Sequence, residues 1–377
     1  MRLKKQKMKI ERVIISGGGT GGHIFPAVAI ANEIKRRNPD CDILFVGALG
    51  KMEMEKVPQV GYKIIGLPIA GFQRKLTASN FLLPFKIVNS LFQAYKIIKN
   101  FKPQIVIGVG GYASGPTLRA AIFLNIKTLI QEQNSFPGKT NKILAKDVKK
   151  ICTAYEGLDR FFPKEKIVLT GNPVRLEMVQ IEGKREEALK FFGLDSTKRT
   201  ILVIGGSLGA RTLNESILGD LELIKTNDVQ VLWQCGKFYY SNLNETFSRE
   251  ENETVHLNEF ISRMDLAYSV ADLIISRAGA ISVSELCLVE KPTILVPSPN
   301  VAEDHQTKNA MALVEKNAAI LVKDIEAKQI LFSKAIEILN NENQQAELIE
   351  NIKKLGFPKA TEEIVNEIEK LVKNYEL

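Results

Sequence analysis

A chain of 377 residues, 45% apolar and 25% charged, has the composition of a soluble globular protein, and its length asks for two domains rather than one core. No apolar run approaches the ~20 residues that cross a bilayer, the basic N-terminal stretch MRLKKQKMKIERVIIS lacks a segment apolar enough for a signal peptide, and four scattered cysteines with no CxxC argue against disulfides or a zinc site. The net charge of +8 conceals a sharper split: residues 1–172 hold 28 Lys/Arg against 11 Asp/Glu, whereas the remainder holds 23 against 32.

The first strand is expected at 12–16 (RVIIS). It runs into SGGGTGGHIFP (16–26) and then a helical pattern over 26–37. Gly17, Gly19 and Gly22 satisfy GxGxxG, and a glycine-rich strand–helix junction suits an anion held at a helix N-terminus. A dinucleotide site would need Asp or Glu near the end of the second strand, expected at 42–47. That strand ends Phe45-Val46-Gly47-Ala48, without a carboxylate, which argues against this reading. A structural turn is the plain alternative. His23 stands where the helix should begin, and a structural and a functional histidine weigh about equally there. Asp40-Cys41-Asp42 is a literal DxD, but it precedes its strand, so a solvated turn at the amino edge of the sheet is expected instead.

Between Glu55 and Glu132 there is no acidic residue and there are ten basic ones, a distribution that draws polyanions. A helical pattern covers 86–99. Just before it, Phe81, Leu82, Leu83 and Phe85 cluster too tightly for one helix face to hide. With Lys86 and the neighbouring lysines they favour contact with an anionic membrane over core packing alone. The strand expected at 104–109 opens into GVGGYASGP (108–116), whose backbone N–H groups at Gly110, Gly111 and Tyr112 suit a phosphate or diphosphate, as do those of Gly18 and Gly19; an ordinary turn is weighed equally. Strands at 127–131 and 167–170 follow, and the pattern breaks at Asn172-Pro173 within TGNPVR (170–175).

The second half repeats the plan, with strands expected at 200–205, 229–234, 272–276 and 293–297. IGGSLGAR (204–211) is a second glycine-rich junction, in which Ser207 can donate to a phosphate oxygen. In SRAGAISVSELCLVEKPTILVP (276–297) a small-residue loop leads to Glu285, placed to accept from a ribose diol unless it is a solvated helix-face glutamate. EDHQTKNA (303–310) adds His305, Gln306 and Asn309. Strand–helix alternation in both halves predicts two doubly wound parallel sheets. The domains are expected at 1–172 and 173–357, with a C-terminal helix near 358–377 returning to the first.

Taken in order, GGTGGHIFPA (18–27), GVGGYASGP, QEQNSFPGKTNKILA (131–145), TGNPVR, GGSLGA, NEFISRM (258–264), RAGAISVSEL (277–286) and EDHQTKNA resemble the MurG family of glycosyltransferases along nearly the full length. The resemblance implies an α/β GT-B fold, two Rossmann-like domains facing a cleft. It implies inverting transfer of N-acetylglucosamine from UDP-GlcNAc to the C4 hydroxyl of the muramoyl sugar of lipid I, making lipid II for the peptidoglycan cell wall. The donor would lie on the C-terminal domain. The lipid-linked acceptor and an anionic membrane would meet the N-terminal one, peripherally on the cytoplasmic face of the inner membrane, in keeping with the charge split.

By motif match the implied donor site comprises Thr20, Gly21, Gly22, Asn134, Arg175, Ser207, Ile261, Ala280, Ile281, Ser282, Val283, Ser284, Glu285 and Gln306. In family terms the backbone at Ile261 reads uracil, Glu285 binds the ribose, Ser207 and the 205–209 turn hold the diphosphate, Gln306 reaches the sugar, and Arg175 approaches donor phosphate. His305 stands where some members carry a second glutamine. His23 is the candidate general base or, alternatively, positions the acceptor. Helix N-terminal amides after Gly206, with Ser207 and Arg175, would take the leaving group's charge, so no metal and no tightly bound cofactor is expected. Other cell-wall enzymes are candidate partners; nucleic acid is not, for want of a recognisable binding motif. A diacylglycerol glycosyltransferase and a non-catalytic UDP-sugar-binding protein are the rival readings.

Overall fold

The computed structural model describes residues 9–69, 83–247 and 253–373. The chain divides into two compact units, one ending at Val174 and taking back the segment from Lys359, the other spanning Arg175–Pro358.

In the first unit, runs such as VIIS and IVIG are buried throughout, as parallel strands covered on both faces must be. β1 (Arg12–Ser16), β2 (Asp42–Ala48), β3 (Lys63–Leu67), β4 (Ile105–Gly108), β5 (Lys127–Glu132), β6 (Lys150–Thr153) and β7 (Ile167–Leu169) form a parallel sheet in the order β3-β2-β1-β4-β5-β6-β7. β3 and β6 were not foreseen. KIIGL is only partly covered and KICT has four residues, so neither shows a long apolar run.

The helix Gly21–Arg37 starts five residues before its expected apolar pattern, which places His23 in its first turn. It buries Ile24, Ala27, Ile30, Ala31 and Ile34, a helical repeat facing the sheet. Each of the buried isoleucines contributes about 1.5–3 kcal/mol by leaving water, and each alanine less. The C-terminal helix Ala360–Lys373 adds Ile364, Val365, Ile368 and Val372 to the same core, and Arg37 Nη1 donates to Asn366 Oδ1 at 2.7 Å.

The second unit holds β8 (Arg199–Ile204), β9 (Val229–Gln234), β10 (Val255–Asn258), β11 (Leu273–Ser276), β12 (Thr293–Leu295) and β13 (Ile320–Leu321) in the order β10-β9-β8-β11-β12-β13, again parallel. β10 and β13, of four and two residues, were likewise missed. Trp233 is wholly buried and donates from Nε1 to Asn214 Oδ1 at 3.0 Å, so its polar edge is satisfied.

In each sheet the strand order reverses direction beside the first strand. Such a switch point splays the following loops apart and favours ligand binding at the carboxyl ends. It lies between β1 and β4 in the first unit, where Ser16 pairs with Gly108, and between β8 and β11 in the second, where Ile204 pairs with Ser276. The glycine-rich stretches follow these strands.

Candidate active site

At the first switch point the loops after β1 and β4 lock together. Gly17 N donates to Val46 O at 3.4 Å, Gly18 N to Gly110 O at 3.3 Å, and Gly19 N to Glu53 Oε2 at 2.7 Å. This corrects the expectation that Gly18 and Gly19 offer N–H groups to a diphosphate: both are engaged inside the protein. Gly18 serves close packing instead, since a Cβ there would lie 2.1 Å from the Glu53 carboxyl carbon. The N–H groups that a helix cannot satisfy by itself are those of its first turn, at Gly21 and Gly22; Thr20 occupies the N-cap position without a side-chain cap bond.

His23 Nδ1 lies 2.9 Å from Gly18 O and 3.4 Å from Thr20 Oγ1. A carbonyl can only accept, so Nδ1 carries the proton and Nε2 the lone pair. Burial lowers the imidazole pKa below its usual value, opposed by the bond to Gly18 and by the charge of Glu53. The ring is therefore neutral near pH 7, as a base must be.

The loop after β4 is fastened from below by a buried amide network. Gln133 Nε2 donates to Val109 O at 2.9 Å, Asn172 Nδ2 to Gln133 O at 2.9 Å, and Gln131 Nε2 to Asn172 Oδ1 at 2.9 Å. Tyr112 is exposed at the loop's tip. Nearby, buried Glu132 accepts from Asn141 Nδ2 at 2.7 Å, Asn134 N at 3.0 Å, Asn134 Nδ2 at 3.2 Å and Gly138 N at 3.2 Å. The Asn134 side chain thus shapes this loop.

At the second switch point Ser207 is exposed in the turn closed by Gly209 N donating to Gly206 O at 3.1 Å. The helix that follows, Arg211–Gly219, begins four residues beyond Ser207, so its first-turn amides come later than the sequence suggested. Gln234, at the end of β9, bridges two loops: its Nε2 donates to Gly206 O at 3.1 Å and its Oε1 accepts from Ile261 N at 2.8 Å. The Ile261 N–H is therefore already used inside the protein.

The helix Ala280–Val289 opens at the end of the β11 loop behind Gly279. Ile281 and Ser282 are half-buried, Ser284 Oγ donates back to Ala280 O at 3.1 Å, and Val283, 1% exposed, points into the core and can offer a ligand no side chain. Glu285 is not a solvated helix-face carboxylate. Its Oε2 accepts from the buried Tyr268 hydroxyl at 3.1 Å. Burial raises its pKa, while the Tyr268 bond and the Arg175 charge lower it. Arg175 is itself exposed, at the start of the helix Leu176–Val179. Gln306 Oε1 accepts from Ser298 N at 2.9 Å, which ties the helix His305–Val314 to the loop after β12.

Glu53, Gln234 and Tyr268 were not singled out from the sequence. A faint signal existed for Gln234, a polar residue closing the apolar strand VQVLW; nothing comparable marks the other two.

A separate apolar surface lies on the helix Leu83–Phe101. Ser90, Ala94 and Ile98 form its buried stripe, while Phe85 (75% exposed), Val88 (66%) and Phe92 (56%) form a second stripe in solvent at helical spacing. Lys96 Nζ lies 4.3 Å from the Phe92 ring centre, Lys86 is half-buried, and Phe123, 80% exposed, packs edge-on to Tyr95. Phe81 and Leu82 lie outside the described residues, as does the side chain of Leu83. The exposed stripe runs two turns further than the sequence cluster indicated. No helix among the described residues is long and apolar enough to cross a membrane. Asp40 of the DxD pairs with Lys9 just before β2, at the amino edge of the first sheet, whereas the switch-point loops of that sheet follow the carboxyl ends of β1 and β4.

Two Rossmann-type sheets, each with a glycine-rich junction and polar side chains at its switch point, are the parts of a GT-B glycosyltransferase. Residues 13–153 match the glycosyltransferase family 28 N-terminal domain and residues 200–364 its C-terminal domain, and the chain belongs to that family. Within it, the chain is 54% identical to the UDP-N-acetylglucosamine–N-acetylmuramyl-(pentapeptide) pyrophosphoryl-undecaprenol N-acetylglucosamine transferase of Flavobacterium psychrophilum, over 97% of this chain and 99% of that one. The enzyme of the same name from Parabacteroides distasonis is 55% identical, with 97% and 99% covered. The crystal structure of Acinetobacter baumannii MurG is similar with a TM-score of 0.75 at 30% identity, covering 96% of this chain and 99% of that one.

Proposed function

We infer that this enzyme transfers N-acetylglucosamine from UDP-GlcNAc to the C4 hydroxyl of undecaprenyl-pyrophosphoryl-MurNAc-pentapeptide, forming lipid II for peptidoglycan. The observation that carries this reading is identity of 54–56% with transferases of that activity over 96–97% of the chain.

The C-terminal unit holds the donor. Glu285, with one oxygen on Tyr268, keeps the other for a ribose hydroxyl. The Ile261 carbonyl accepts from uracil, and Ser207, Arg175 and the first turn of Ala280–Val289 take the diphosphate. Gln306 and its neighbours reach the sugar. The N-terminal unit takes the acceptor. His23 Nε2 removes the C4 hydroxyl proton as that oxygen attacks the anomeric carbon, and the electron pair of the breaking C1–O bond leaves with UDP. A single displacement inverts the anomeric centre. The leaving charge is met by amides, hydroxyl and guanidinium, so the proposed step requires no metal.

The stripe of Phe85, Val88 and Phe92 with its lysines rests on the anionic cytoplasmic leaflet, where the undecaprenyl chain of the acceptor is anchored. Radiolabelled UDP-GlcNAc offered with lipid I or with diacylglycerol tests the assignment. Label should enter lipid I alone, and His23→Ala should lose turnover with both substrates saturating. Transfer to diacylglycerol would overturn the acceptor; near-normal His23→Ala turnover would overturn the base.

A further inference from the structure

Glu53 has no part in the chemistry above, yet it is 1% exposed, an unusual place for a carboxylate. Burying that charge is costly unless hydrogen bonds compensate, and here they come from backbone. Oε1 accepts from Ala48 N at 3.0 Å, at the end of β2, and Oε2 from Gly19 N at 2.7 Å, in the loop after β1. The side chain, carried on the helix Glu53–Gln59, thus staples the carboxyl end of one strand to the loop following its neighbour.

The Gly19 N–H belongs to the same peptide group as the Gly18 carbonyl, and the Gly18 carbonyl accepts from His23 Nδ1 at 2.9 Å. A planar trans peptide directs its N–H and C=O in opposite directions. Glu53 therefore grips one end of a rigid unit whose other end grips the imidazole. A charge-assisted bond at the N–H polarises the carbonyl and strengthens the bond it accepts. The space is fitted to this arrangement, since the carboxylate occupies the position that any side chain at Gly18 would need.

We propose that Glu53 is a positioning residue for sugar transfer: through the Gly18–Gly19 peptide it holds His23 as the Nδ1–H tautomer, with Nε2 free to take the acceptor proton. The arrangement is a carboxylate–peptide–imidazole relay, in which a peptide bond stands where, in many hydrolases, a direct carboxylate–imidazole contact orients the base. It rests on the reading of His23 as the base. Among the described residues, Glu53 supplies the charge that acts on the ring; the loop after β4 presents it with the Gly110 backbone, and its own loop with the Thr20 hydroxyl.

Glu53→Gln keeps the shape but removes the charge, and its NH2 faces one of the two N–H groups. Glu53→Asp keeps the charge and shortens the reach. The chain has three histidines, so imidazole-selective 13C labelling, with His23→Gln to assign the signal, follows this ring directly. Loss of the carboxylate removes an influence that raises the His23 pKa. Its titration, and the acid limb of kcat/KM, should move to lower pH in Glu53→Gln and less far in Glu53→Asp, with weakened Nδ1–H tautomer shifts. Turnover in Glu53→Gln should fall about tenfold to a hundredfold, with KM for UDP-GlcNAc within about twofold. A solely structural role predicts the reverse direction, because a loosened ring gains solvent and basicity. A His23 titration that stays put, or rises, in whichever variant melts cooperatively would overturn the proposal. Full turnover in His23→Ala would instead remove the base reading, leaving the tautomer shifts to decide the relay by themselves.

Discussion

Gly110→Ala probes the first switch point at its tightest contact. Gly110 has φ +93°, and the new Cβ would lie 2.8 Å from His23 Nε2 and 2.9 Å from Cδ2. An L-residue in such backbone costs about 1–2 kcal/mol. The ring cannot stay in place against the methyl group, and turning it away gives up the bond from Nδ1 to Gly18 O, a further ~0.5–1.5 kcal/mol. Stability should therefore drop by about 1.5–3.5 kcal/mol in urea unfolding. A base displaced by about an ångström should lower kcat about a hundredfold. The assay is label transfer to lipid I with both substrates saturating, beside a melt of each protein. Gly219→Ala is the control: its Cβ meets nothing within 4 Å, at the end of a helix in the other unit, and it should add about 0.4–1 kcal/mol while leaving kcat intact. If Gly110→Ala kept both the stability and the kcat of the wild type, the placement of His23 against Gly110 would be wrong, and the base assignment with it.

Tyr268→Phe frees Glu285 Oε2 from its 3.1 Å bond and lets the carboxylate turn; KM for UDP-GlcNAc should rise about threefold to tenfold with kcat unchanged, and an unaltered KM would count against Tyr268 as the orienting group. Glu285→Gln should weaken calorimetric UDP binding about tenfold to a hundredfold and yet leave the unliganded protein as stable as the wild type, or more so, at pH 7. The sign follows from the raised Glu285 pKa: as pH climbs above 4.5 the unfolded chain releases this proton before the folded one does, so the wild type loses stability with rising pH and the advantage of the variant should vanish below about 4.5. Phe92→Glu should cut sedimentation with anionic phospholipid vesicles about tenfold while sparing transfer to a detergent-solubilised acceptor; undiminished vesicle binding would place the membrane contact elsewhere.

The sequence by itself determined the two-unit α/β plan, because buried parallel strands leave unbroken Val/Ile runs and glycine-rich junctions mark where they end; β3, β6, β10 and β13 escaped because they are short or half-covered. It also located both glycine-rich loops at the ends of β1 and β8, because these motifs are local. What only the tertiary structure decided was the destination of each polar group. Gly19 N finds Glu53 34 residues away, Ile261 N finds Gln234 27 away, and Glu285 finds Tyr268 17 away. Those pairings depend on which strands become neighbours in the sheet. A backbone N–H must be satisfied wherever it is buried, so the same glycine pattern can present amides to a phosphate or spend them inside the protein; in the loop after β1 it does the latter, and the spacing of the glycines is identical in both cases.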